Sequence, residues 1–231
     1  MLESARKRGR VRVYDAQKSR EAMLNAAEAL FAEHGFHGAS MDAIAKASGY
    51  NKSLLFQYFG DKLSLYAAVL ERADGEMGAL LAGVFAPLLE NDTITSDASL
   101  FRDFLAATFG AVFDYMVEHQ RLMRIFNWEQ AEGGQAVTQI ASHFQPDDLE
   151  RFEGLFSRAR SAGLVRPELD VVVMVLLVAQ ICWSVPATLP LYQLALRRRD
   201  FTAGSALAHL REQVIALLIS WVSPDPSGES R

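Results

Sequence analysis

Residues 40–62 read Ser40-Met41-Asp42-Ala43-Ile44-Ala45-Lys46-Ala47-Ser48-Gly49-Tyr50-Asn51-Lys52-Ser53-Leu54-Leu55-Phe56-Gln57-Tyr58-Phe59-Gly60-Asp61-Lys62. Ser40 offers a side-chain oxygen to the orphan amides of a helix start, and Asp42 suits the positive end of the helix dipole. Met41, Ile44, Ala45 and Ser48 carry that short helix to Gly49, which ends it. Asn51 is a second N-cap, and Leu55 with Phe59 gives the next short helix one buried face. Gly60-Asp61 breaks the chain before a longer amphipathic helix from Lys62. Upstream, Met23, Ala26, Ala27, Leu30 and Phe31 recur at helical spacing over residues 19–34, and Gly35 stops them. Two short helices across a tight turn, with a third before them, fit a helix-turn-helix, whose second short helix lies in the DNA major groove.

On that second helix Leu55 and Phe59 face inward, which leaves Lys52, Ser53, Leu54, Phe56, Gln57 and Tyr58 around the outer side. Lys52 can donate to guanine O6 and N7, Gln57 can pair with adenine, and Phe56 or Leu54 can meet a thymine methyl. Ser40 and Tyr58 by hydroxyl, and Lys62 by charge, suit phosphates. By pattern alone a second reading stays open, a plain helical bundle whose outward Lys and Gln are merely solvated.

The stretch quoted, followed by Leu65-Tyr66 and Val69-Leu70, resembles the DNA-binding head of the TetR family of transcriptional regulators over residues 19–70. The resemblance implies a homodimeric, ligand-responsive regulator, usually a repressor, with an all-helical ligand and dimerisation domain behind the head. It places phosphate contacts at Ser40, Tyr58 and Lys62, and base reading at Lys52, Ser53, Phe56 and Gln57. The chain departs from the family pattern at Ser53, where many members have Gly, at Leu54, where Thr or Ala is common, and at Phe56, where Tyr is usual. Phe56 lacks a hydroxyl that could reach a phosphate, so no operator sequence carries over.

The charge distribution agrees with a small head on a larger body. The 231 residues carry a formal net charge of −5, yet through Lys62 the balance is +3 and from Leu63 onward −8. A uniformly basic, histone-like protein is excluded. Arg6, Lys7, Arg8, Arg10 and Arg12 with little apolar content read as a disordered basic arm over residues 1–18, attracted to phosphates without sequence preference. Cys182 is the one cysteine, so an intrachain disulfide framework is excluded and a cytoplasmic location is expected.

The rest of the chain is helical in period. Phe101, Phe104, Leu105, Phe109, Val112, Phe113 and Met116 form a wide stripe over residues 100–119; a helix over 122–131 follows, and Gly133-Gly134 breaks it. Further helices are expected over 135–144, from Pro146 to Gly163, over 170–196 and over 203–222, before a disordered tail at 224–231. Residues 171–196 hold no charge and on length could span a bilayer. Gln180, Ser184, Pro186, Thr188, Pro190 and Gln193 interrupt them, and a buried helix kinked at Pro186 explains the same residues without a membrane. With Leu207, Leu210, Val214, Leu217, Leu218 and Trp221 of the last helix they are read as a subunit interface across a two-fold axis.

Phe104, Phe109, Phe113, Met116, Met123, Phe126, Trp128, Glu129 and Trp183 are the candidates for lining a pocket for a small hydrophobic or aromatic effector. No phosphate-cradling glycine loop, Gly-x-Ser-x-Gly turn or His-Glu-x-x-His zinc site occurs, so an enzyme, a cofactor and a metal are not expected. The expectation is an all-α chain: a helix-turn-helix domain at 19–65, then a helical effector-binding and dimerisation domain at 66–223. The function expected is a homodimeric regulator, most often a repressor, on a pseudo-palindromic operator. A membrane-tethered helical sensor and a helical interaction module without DNA binding are the alternatives.

Overall fold

No proline interrupts residues 2–38, and the segment is rich in Ala, Arg and Glu, all good helix formers. The computed structural model describes residues 2–90, 92–143, 147–196 and 204–224. In it the first helix, α1, runs Leu2–Gly38. The arm read as disordered is therefore helical from Leu2. Its composition lacks a core-forming face but not helix propensity, and propagation from an already packed helix adds residues without a new nucleation cost. Helical geometry breaks within α1 at Gly35 (φ 68°, ψ 178°), a backbone region open essentially to glycine alone.

The succeeding helices are α2 (Met41–Ser48), α3 (Lys52–Phe59), α4 (Lys62–Glu90), α5 (Ala98–Glu118), α6 (Gln120–Ala131), α7 (Gln135–Ile140), α8 (Asp147–Ser161), α9 (Val171–Leu196) and α10 (Gly204–Val222). Single 3-10 turns at Asp92–Thr95 and Ala141–His143 join some of them, and no strand occurs among the described residues. The fold is all-α. The tail beyond residue 224 and the triple arginine at 197–199 lie outside the described residues.

Two compact units divide the chain. The first is Met1–Asp74 with Arg121–Phe144, and the second is Gly75–Gln120 with Gln145–Arg231. This differs from a single boundary near residue 65, because most of α6 and all of α7 belong with the helix-turn-helix. The reason is chemical. The Tyr66 hydroxyl donates to Glu129 Oε1 at 2.6 Å, both side chains buried, and the Val137 amide donates to the other Glu129 oxygen at 3.1 Å. A buried carboxylate requires such partners. Burial, with the bond to Glu129 and that residue's charge, pushes the Tyr66 hydroxyl well above its ordinary range, so it stays a donor. The ring of Tyr66 meets Phe31 edge-on at 4.9 Å, and Arg72 of α4 reaches Glu21, Asn25 and Glu28 of α1.

In the second unit the phenylalanine stripe of α5 supplies the centre, with Phe101, Leu105 and Phe113 fully buried against Phe156 of α8, Met174 and Cys182 of α9, and Leu218 and Val222 of α10. Gly110 lets Arg211 cross α5 closely; a methyl there would strike the guanidinium, which forks onto both oxygens of Asp114 at 2.7 Å. Arg166 ties off the end of α10, donating to the carbonyls of Ser220 and Ser223 at 3.2 and 2.7 Å. The α9 helix runs as one element through Pro186 and Pro190. Val171, Met174, Val178, Cys182 and Leu189 turn into the core, and burial pushes the Cys182 thiol up to about 12. The same helix is long and apolar enough to cross a membrane by length and composition, but it spends one whole face on protein core.

Candidate nucleic-acid interface

The turn between α2 and α3 is built on two residues with fixed duties. Gly49 adopts the left-handed conformation (φ 77°, ψ 10°) that closes α2, and Asn51 Oδ1 accepts from the Leu54 amide at 2.8 Å to open α3. Ser40 Oγ accepts from Ala43 at 3.2 Å, so its cap role is in place and its side chain remains exposed. Leu55 and Phe59 anchor α3 by burial, at 0% and 8% exposure.

With those two fixed inward, Lys52, Ser53, Phe56 and Gln57 are all exposed. Their spacing of one, four and five places them on one face of α3. Phe56 is 41% exposed. Lys52 Nζ pairs with Asp42 Oδ2 at 2.9 Å and lies over the Phe56 ring at 5.9 Å. Both ion-pair partners are solvent-exposed, so the pair is weak and readily exchanged for another acceptor.

The residues suited to phosphates flank this face. Tyr58 donates its hydroxyl to the Ala16 carbonyl at 3.3 Å, which sets the ring against α1. Lys62 donates to the His37 carbonyl at 3.3 Å over the Phe36 ring at 4.7 Å. Partial burial lowers the Lys62 pKa, and the charge of Glu132 on the Gly133 side of α6 opposes that shift. Asp61 accepts from the Ser64 amide at 2.7 Å and caps α4; this bond holds its carboxyl below the ordinary range.

The second unit holds an apolar cavity of 190 Å³. Met77 and Leu81 of α4, Phe109, Val112 and Met116 of α5, and Met174 and Val178 of α9 line it. Of the nine pocket candidates, Phe109 and Met116 are in that lining. Phe104 and Phe113 are plain core, and Trp183 is half-buried on α9 away from the cavity lining. Met123, Phe126, Trp128 and Glu129 sit in the other unit, as the amphipathic period of α6 says which face is apolar but not what lies opposite it. Trp128 packs on Gly35, where a Cβ would come within 2.9 Å of its ring.

Residue spacing alone does not announce the Tyr66–Glu129 bond or the bonds of Arg72 to α1. A signal existed: Glu129 falls in register with Leu122 and Ile125 on the buried face of α6, and an acid there demands a partner.

Comparison with known proteins agrees with this architecture. A model for bacterial regulatory proteins of the tetR family matches residues 23–69, and one for the tetracyclin repressor-like C-terminal domain matches residues 102–218, half of the chain. The chain belongs to the TetR family. Among its TetR relatives, the transcriptional repressor SCO4008 of Streptomyces coelicolor is 30% identical over 152 residues, 66% of this chain and 65% of that protein. The transcriptional activator FasR of Mycolicibacterium smegmatis is 36% identical over 123 residues, 52% and 51% of the two chains. The chain thus spans about half to two thirds of the length of these relatives. The solved structure of the Streptomyces coelicolor regulator SCO4942 superposes with a TM-score of 0.60 at 25% identity, covering 89% of this chain and 99% of its own. The fatty acid degradation regulator FadR of Bacillus halodurans, at 20% identity and a TM-score of 0.59 over 87% and 94% of the chains, shares the TetR fold.

Proposed function

We propose that the chain is a ligand-responsive transcriptional regulator that binds a pseudo-palindromic operator as a homodimer, one α3 per subunit in successive major grooves. The observation that carries the reading is that Lys52, Ser53, Phe56 and Gln57 are all exposed on one face of α3; phosphate contacts are assigned to Ser40, Tyr58 and Lys62. Repression is the output assigned, since the relative matched over more of the chain is a repressor.

The second copy is assigned to the outer face of α9 and α10. Val173, Leu176 and Leu177 on α9 and Leu217 on α10 are 45%, 64%, 42% and 61% exposed, an apolar surface that burial against a symmetry mate would remove from water. Within the stripe expected on α10, Val214 and Leu218 serve the protomer's own core, while Leu207, Leu210 and Trp221 pack partly against it. The interface therefore draws more on α9 than its periodicity alone suggests.

An effector in the cavity has a physical route to the head. The α4 helix supplies Leu65 and Tyr66 to the first unit and Met77 and Leu81 to the cavity lining of the second. Recognition helices must lie about 34–36 Å apart, or a multiple of it, to read both half-sites. A ligand that binds better to a differently spaced state releases DNA. Selection of bound duplexes from a random pool at near-physiological salt tests the reading. A two-fold symmetric consensus is expected; no enrichment from folded dimeric protein would refute it and favour an interaction module. Recovery of the protein only in the membrane fraction would instead favour a tethered sensor.

A further inference from the structure

From the cavity lining we infer that the effector is an uncharged, compact apolar molecule, close in size to a substituted benzene or small bicycle, and that ionised ligands are rejected. The inference rests on the reading of the chain as a ligand-responsive regulator and specifies the chemistry of that same site.

The cavity presents no polar surface. Among the described lining residues the one with a side-chain hydroxyl is Thr108, and its proton is already donated to the Phe104 carbonyl at 2.9 Å. The cavity is half open, and a carboxylate, phosphate or ammonium placed inside would still lose much of its hydration without gaining a counter-charge. Size narrows the class further. A dry cavity of about 150 Å³ in another protein holds benzene, so 190 Å³ suits a slightly larger molecule and is small for a long acyl chain. Met77, Met116 and Met174 contribute three flexible thioethers to the walls. Methionine adapts to irregular shapes and meets aromatic faces favourably. The site therefore selects by polarity and bulk more than by outline, and several related neutral molecules share it.

Three probes of one shape separate charge from size: p-xylene, 4-nitrotoluene and 4-methylbenzoate, titrated into the 231-residue chain by calorimetry and followed by thermal melting. The two neutral probes are expected to bind, and the carboxylate to bind at least about 100-fold more weakly. Val112→Phe, which fills the cavity, is expected to abolish p-xylene binding. Met116→Lys, which brings a cation to a half-buried wall, is expected to invert the preference toward 4-methylbenzoate, and it keeps the test valid should the first variant not fold. Carboxylate binding within tenfold of 4-nitrotoluene, or no binding of either neutral probe to folded protein, overturns the inference. Operator affinity is measured beside it on the selected duplex. Neutral-probe binding that leaves operator affinity unchanged supports the cavity chemistry and overturns the assignment of the cavity as the effector site, while loss of operator selection by the unliganded protein strikes the regulator reading itself.

Discussion

Replacing Lys52 with Ala distinguishes a base-reading residue from a solvated one. In the structure its ammonium is held by Asp42 at 2.9 Å, with the two side chains 48% and 73% exposed. An exposed pair of this kind is worth at most about 1 kcal/mol, so giving it up costs less than about a factor of five. Donation to guanine O6 and N7 contributes about 1–3 kcal/mol of discrimination per half-site. For a symmetric dimer the loss doubles to about 2–6 kcal/mol, a weakening of the selected operator by at least roughly 30-fold. A shuffled duplex, bound through phosphates, should weaken only slightly. Asp42→Ala moves the other way: it frees Lys52 and removes a negative charge beside the DNA face, tightening both duplexes by a few fold. Fluorescence anisotropy on the selected and shuffled duplexes, at two salt concentrations, reads all four values. Equal weakening of both duplexes by Lys52→Ala would make the residue a phosphate contact, and an unchanged operator affinity would remove α3 from the groove altogether.

Lys62→Ala should weaken operator and shuffled DNA alike and reduce the salt slope of log K by about one per subunit, whereas a loss confined to the operator would refute a phosphate role. Tyr66→Phe leaves one buried oxygen of Glu129 without its donor, and should lower stability by about 1.5–3 kcal/mol; a urea midpoint equal to that of the unaltered protein would show the bond contributes nothing. Leu177→Asp sets a charge in the exposed apolar face of α9 and should convert the proposed dimer to monomer in sedimentation velocity while helicity by circular dichroism is kept. A persistent dimer would place the interface elsewhere.

The head was legible because its determinants are local. Ser40 and Asn51 act as caps within three residues of their donors, and Gly35 and Gly49 break helices at positive φ, so each is readable from a handful of neighbours. Even the helical limits of the body fall within a few residues of the apolar periods. What periodicity could not convey is the partner of each apolar face. Glu129 looks like a pocket residue in one dimension, and only the distant Tyr66 reveals it as an internal support of the head unit. Likewise Val214 and Leu218 read as an interface stripe, while the protomer's own α5 and α9 already claim them. The basic arm misled for a related reason: low apolar content forbids a core but does not forbid a helix.

The discontinuity of the first unit bears on how such a protein can be recombined. A hybrid that takes residues 1–74 from this chain and the remainder from a relative would separate Tyr66 from Glu129 and the Gly35 turn from the indole that packs on it. The transplanted reader would then rest on a foreign prop. Exchange of operator preference between members that share this layout therefore requires two grafts, the leading segment and the piece at 121–144, carried together as a single heritable set.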